Sequence, residues 1–143
     1  MRAATLAHRV RENQMQGKLL QLCGMALVAL GSQYACAAVN EYAFELVQTS
    51  IKKGLSTVDV RLIHKPDGRP VGDAVIFATR LDMAPDDMES MTSAIELAQS
   101  PGPGLYRFKI DLTDEGRWRI SIAAKIQGET GTLQSRLILQ ATP

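Results

Sequence analysis

The sequence predicts an all-β domain, an Ig-like antiparallel β-sandwich of about seven strands, preceded by an N-terminal signal peptide. Three observations predict it. Apolar and polar residues alternate with period two through most of the chain after residue 37. Clusters of Pro, Gly and Asp break that alternation at regular intervals. The start of the chain, by contrast, carries one short apolar run behind basic residues.

That run, Leu19 to Gly31, reads LLQLCGMALVALG. It falls short of the roughly 20 apolar residues that span a hydrocarbon core. Arg2, Arg9, Arg11 and Lys18 precede it, and Ala35-Cys36-Ala37 matches the small-x-small pattern of signal peptidase sites. Cleavage is expected after Ala37, which assigns residues 1–37 to the signal peptide and 38–143 to one domain. Met15 offers an alternative start, since MQGK leads directly into the apolar run. Neither Cys23 nor Cys36 follows a lipobox. The expected location is periplasmic; an uncleaved leader would instead anchor the domain in the inner membrane.

Both cysteines lie in the leader, so the domain has no disulfide framework, thiolate metal site or thiol nucleophile. Residues 38–143 carry 12 basic and 14 acidic side chains, a net charge of −2. Such a balance gives nucleic acid no electrostatic foothold.

Taken in order, Tyr42, Phe44 and Leu46 mark an opening strand. Val58, Val60 and Leu62 alternate with Asp59 and Arg61 in the next. Lys65-Pro66-Asp67-Gly68-Arg69-Pro70 is a turn, with proline presetting φ and glycine free to take φ > 0. A third strand is expected to place Val75, Phe77 and Leu81 on one face. Residues 85–99 fit either a helix starting at Pro85 or a loop through Met91 followed by a strand with Ile95 and Leu97 inward. Ser100 to Gly104 form a rigid turn. Tyr106, Phe108, Ile110 and Leu112 then share one face, and after Thr113-Asp114-Glu115-Gly116 so do Trp118, Ile120, Ile122 and Ala124. Two alternating runs around a short Gly-containing loop predict a β-hairpin. The last strand, Thr132 to Gln140, turns Leu133, Leu137 and Leu139 to the core. Phe44, Phe77, Phe108 and Trp118 are the expected large core residues.

The domain's three methionines, Met83, Met88 and Met91, fall in one stretch among Asp82, Asp86, Asp87 and Glu89. Thioethers are soft ligands that favour Cu(I) or Ag(I), and nearby carboxylates concentrate cations. Methionine is equally a filler of core gaps, and an acidic loop is usually just solvated. His64, the domain's one histidine, ends a strand beside a turn, where it suits either copper or a hydrogen bond to neighbouring backbone. Arg117 and Arg119 flank Trp118 as a solvated strand face or a small anion patch. No GxSxG, HExxH or paired-carboxylate arrangement is present, so no enzyme is expected.

Five segments in order, Asp67-Gly68-Arg69-Pro70-Val71, Ala74-Val75-Ile76-Phe77, Met83-Ala84-Pro85, Gly104-Leu105-Tyr106 and Gly116-Arg117-Trp118, carry a family likeness. From about Leu55 to Leu139 the chain resembles the YtkA-like/FixH-like domains, small β-sandwiches of exported or membrane-anchored bacterial proteins. The resemblance implies copper or heavy-metal handling, in metal efflux or copper-oxidase maturation. It implies Met83, Met88 and Met91 as ligands of Cu(I) or Ag(I); the leading expectation is a periplasmic accessory domain that holds the ion with these three, His64 a possible fourth, for an envelope protein partner. It also favours loop then strand at residues 85–99. Where many relatives run Met-Pro directly, Ala84 intervenes here, and Asp86-Asp87 separates Met88 from Pro85. The rival expectation is a metal-free module that docks on another envelope protein. A carrier of a small apolar ligand ranks below both, because the core looks full.

Overall fold

The computed structural model describes residues 38–143. The expected signal peptide, with Met15, Cys23, Cys36 and the cleavage point after Ala37, lies outside the described residues. Among the described residues no helix is long and apolar enough to cross a membrane.

Ten strand segments form two sheets, so the all-β, Ig-like sandwich is observed. They are β1 (Tyr42–Leu46), β2 (Ser50–Lys52), β3 (Gly54–His64), β4 (Arg69–Pro70) and β5 (Ala74–Met83), then β6 (Met88–Ser93), β7 (Ile95–Leu97), β8 (Leu105–Leu112), β9 (Gly116–Ile126) and β10 (Leu133–Thr142). The first sheet runs β1-β3-β8-β7 with the short β4 also on β3; the second runs β2-β10-β9-β5-β6. Every pairing is antiparallel except β2 with β10. The chain switches sheets five times, between β1 and β2, β2 and β3, β4 and β5, β6 and β7, and β8 and β9.

The expected β8–β9 hairpin is not formed. β8 pairs with β3 and β7, whereas β9 pairs with β10 and β5, so residues 113–115 cross from one sheet to the other. The reason is burial. Phe108, Ile110, Leu112, Trp118, Ile120, Ile122 and Ala124 are all nearly or fully buried, and two such faces meet across a core more completely than side by side. Each fully buried aliphatic or Phe side chain contributes about 1.5–3 kcal/mol. Trp118 Nε1 donates to the Asp114 carbonyl at 2.9 Å, so its one polar atom pins the crossing loop.

The third strand departs from simple alternation. Ile76 pairs with Ala124 and Ala78 with Ala123, so Phe77 is the extra residue of a bulge. The bulge shifts the inward parity by one: Leu81 is buried, but Val75 is 65 % and Phe77 57 % exposed, and neither is core as predicted. Phe44, Tyr106, Phe108 and Trp118 are the buried aromatics. Between residues 84 and 97 there is no α-helix. Ala84–Asp86 make one 3₁₀ turn, then β6 and β7 follow, with Ile95 packed on the core and Leu97 half exposed at the sheet edge.

Candidate functional site

The methionine stretch forms the β5–β6 connection. Asp82 Oδ1 accepts the Ala84 N–H at 3.1 Å, and this local bond turns the chain out of β5. Pro85 suits the 3₁₀ turn, and Asp87 closes it in the left-handed region with φ 60°. Met83 and Met88 then face each other as cross-strand partners, while residues 89–91 lie in an irregular stretch before Thr92 pairs with Asp82.

The three sulfur-bearing side chains differ sharply in setting. Met83 is 1 % exposed, Met88 is 40 % exposed, and Met91 is half buried against the core. The Met83 methyl covers Gly116: a Cβ on that glycine would lie 2.8 Å from Met83 Cε and 2.7 Å from Asp86 Oδ2. Gly116 also has φ +129°, so both its backbone and its missing side chain are required.

Three of the four carboxylates around them, Asp82, Asp86 and Glu89, are engaged. Asp86 accepts the Arg117 backbone N–H and Nε, each at 2.7 Å, and Arg117 Nη2 donates to the Pro85 carbonyl. The Arg117 N–H, and after it the guanidinium, hold the Asp86 carboxyl below its ordinary range. Asp82, fully buried, binds Arg80 Nε at 2.7 Å and Arg119 Nη2 at 3.0 Å. Burial pushes its pKa up, but Arg119, Arg80 and the Ala84 N–H together outweigh it and keep it low. Glu89 takes a further bond from Arg119 at 2.9 Å. Arg117 and Arg119, read from sequence as a solvated face or an anion patch, are the groups that bind these acids.

His64 stands at the opposite end of the sandwich. β3 and β8 are antiparallel from Gly54↔Leu112 to Arg61↔Leu105, so His64 lies beyond the start of β8, while Met83 lies over Gly116, just past its end. His64 is therefore not brought to the methionines. Its Nδ1 is 2.8 Å from Asp67 Oδ1, its Nε2 is 3.7 Å from Glu41, and its ring packs on Tyr42 at 5.0 Å between centroids. Asp67 is held down at about 2, by the Arg69 backbone N–H first and then by His64 and the Arg69 side chain.

Close by, the Asp67 to Val71 turn closes on the start of β8. A Cβ on Gly104, which has φ +72°, would meet Pro70, with its Cα and the Val71 nitrogen both at 3.0 Å. Tyr106 Oη donates to the Val71 carbonyl at 3.0 Å and accepts the Ala74 N–H at 3.1 Å. Four of the five segments that carry the family likeness thus contact one another in two pairs: Asp67–Val71 with Gly104–Tyr106, and Met83–Pro85 with Gly116–Trp118. Sequence reading missed this pairing, although the recurrence of Gly-x-Tyr and Gly-x-Trp after Pro-containing segments was a visible signal.

A model of the YtkA-like family matches residues 37–123, which is more than half of the chain. The chain belongs to the YtkA-like family. The matched stretch contains all five segments, four of which close the two ends of the sandwich in this YtkA-like domain. Among solved structures it is similar to the crystal structure of the Lin-41 filamin domain, at 12 % identity and a TM-score of 0.44, over 75 % of this chain and 95 % of that one. No curated protein matches it. Among the described residues no group of three or more His, Cys, Asp or Glu is placed to hold a metal ion.

Proposed function

We propose that this YtkA-like domain is a non-catalytic, periplasmic module that docks on another envelope protein. One observation carries the reading: most of the methionine and acid stretch is occupied in holding the fold. Met83 covers Gly116, while Asp82, Asp86 and Glu89 bind arginines. What remains available to a partner is the surface of the sheets, where Leu55, Val75, Phe77 and Ile138 are exposed. Photo-crosslinking residues placed at Leu55, Phe77 and Ile138 of the full chain, in intact cells, test this. A discrete protein adduct from at least one position is expected; no adduct from any of the three overturns it.

A second reading, the holding of Cu(I) or Ag(I) for metal efflux or copper-oxidase maturation, is favoured by one feature. Met83 and Met88 are direct cross-strand partners, with Met91 in the same irregular stretch. The residues offered would be Met83, Met88 and Met91, with His64 outside the set because it lies at the other end. Titration with Cu(I) against a competing chelator separates the two readings. The metal reading requires affinity that disappears when all three methionines are changed to Leu; equal affinity in that variant overturns it.

A further inference from the structure

The outer face of the β5-β9-β10 sheet is built as a trough. Register places Arg136, Ser121 and Arg80 in one row across three strands, and Gln134, Ala123 and Ala78 in the next. Small side chains on the middle strand leave a floor; Arg80 on one side and Gln134 and Arg136 on the other make walls. The resulting concavity measures about 430 Å³. Strands in a sheet lie about 4.8 Å apart, so the two arginine backbones stand about 10 Å apart across Ser121. Arg80 turns along its own strand, its Nε donating to Asp82 and its Nη2 to the Glu89 carbonyl, so the Arg136 guanidinium is the unengaged cation of the row.

The charge here runs against the rest of the domain. Three arginines (Arg80, Arg119 and Arg136) border the trough, against Asp82 beneath it and Glu89 at its edge. Arg80 and Arg119 are engaged by those two carboxylates. Arg136 is exposed, and no side chain or carbonyl among the described residues pairs with it. The trough is therefore net positive on a domain that is net −2. Apolar side chains adjoin it: Ile138 follows Arg136 along the same face of β10 and is 47 % exposed, and Phe77 precedes Ala78 on β5.

We infer that this trough binds an acidic segment of the partner protein, a carboxylate taken by Arg136 and apolar side chains by Ile138 and Phe77. The inference rests on the protein-docking reading above and gives that partner its chemistry. An anionic membrane is the weaker fit. The net negative domain has no long-range attraction to such a surface, and a lipid headgroup makes no use of the flanking apolar residues.

The test uses the full chain and a short fluorescent peptide rich in Glu with two leucines. Its controls are the same peptide with Lys for Glu and vesicles of phosphatidylglycerol. Saturable binding of the acidic peptide is expected, weakened by salt and weakened at least about tenfold in Arg136→Glu. Because the Arg136 side chain makes no hydrogen bond or ion pair among the described residues, that variant is expected to melt like the parent. A Lys109→Ser variant, which removes an exposed cation from β8 of the other sheet, is expected to bind normally. The inference is overturned by the absence of peptide binding, by equal binding in Arg136→Glu, or by equal binding of the Lys peptide. It is also overturned if Arg136→Glu abolishes only vesicle binding or only self-association. Adducts from a crosslinker at Leu55 but none from one at Gln134 overturn the trough while leaving protein docking intact; adducts from neither, nor from Phe77 or Ile138, end both.

Discussion

The two ends of the sandwich are built to one plan in different materials. At one end Gly104 introduces β8, Tyr106 follows two residues later, and the Pro70 turn lies over the glycine. At the other, Gly116 opens β9, Trp118 follows two residues later, and the Met83–Asp86 segment lies over the glycine. In each case the aromatic's one polar atom ties down a loop, through Val71 and Ala74 or through Asp114. The covers differ. Over Gly104 sit a proline ring and backbone, which cannot yield. Over Gly116 sit a flexible thioether and a carboxylate paired with Arg117. The comparison explains Met83 without a ligand: it does at one end what Pro70 does at the other.

The largest expected effect comes from removing that cover. Met83→Ala should cost about 3 kcal/mol, as truncation of a buried methionine usually does, whereas Met83→Leu, close in volume, should cost less than about 1.5 kcal/mol. Urea denaturation of the two variants measures the difference. Equal losses from Ala and Leu would mean that sulfur chemistry, not volume, matters at this position.

Next in size is the glycine at the rigid end. Gly104→Ala places a methyl group against Pro70 and the Val71 backbone at φ +72°, and should cost about 2 kcal/mol. Gly116→Ala supplies the contrast, because part of its obstruction is the movable Met83 methyl. Combining Gly116→Ala with Met83→Ala should destabilise by less than the sum of the two single changes. Pro70→Ala should bring no such relief to Gly104→Ala, since the Pro70 Cα and the Val71 nitrogen remain. Strict additivity at the Gly116 end would show that the two ends are equally rigid.

Smaller again is the loss of one hydroxyl. Tyr106→Phe leaves the Ala74 N–H and the Val71 carbonyl without their partner and should cost about 1.5 kcal/mol. Amide exchange at Ala74 should speed up in that variant while exchange along β9 stays close to the parent's. Uniform acceleration throughout the domain would mean that Tyr106 supports the whole core and not this one turn.

Much of the fold was legible because parity is a local property. Tyr106 to Leu112 and Trp118 to Ala124 each alternate cleanly, and each presents one buried face as expected. Which sheet a strand joins is not local. The residues of the 113–116 turn suit a hairpin and a crossing alike, and only the apolar content of both faces favours the crossing. The Phe77 bulge escaped because an inserted residue leaves a sequence that still alternates apparently correctly on either side. At the candidate site, the cluster of methionines and acids was plain, but its partners were not. Asp86 meets Arg117 across 31 positions, and Asp82 meets Arg119 across 37. Spacing along the chain carries no trace of such pairs, so three of the four acids that looked free to gather cations turn out to be bound to arginines.

The smallest effect separates the two ends by acid. Asp67, near Gly104, and Asp86, over Gly116, both titrate below their ordinary range in the folded domain, Asp67 at about 2. An unfolded Asp titrates near about 3.9, so between these limits the unfolded chain binds more protons than the folded one. The stability each carboxylate contributes is therefore fully present above about pH 4 and disappears as pH falls toward its folded pKa. Both groups are partly exposed, with 42 % and 25 % of the side chain accessible, so solvent screens the effect and it stays modest. Asp67→Asn and Asp86→Asn should each be less stable than the parent at pH 6 and converge with it on approach to pH 2. Melting temperatures across that range read this directly. Asp86→Asn should also loosen the cover on Gly116, seen as faster amide exchange at Arg117, while Asp67→Asn acts on the Arg69 amide and leaves Arg117 alone. If either substitution lowered stability by the same amount at pH 2 as at pH 6, its carboxylate would be contributing shape and hydrogen-bonding capacity, not charge.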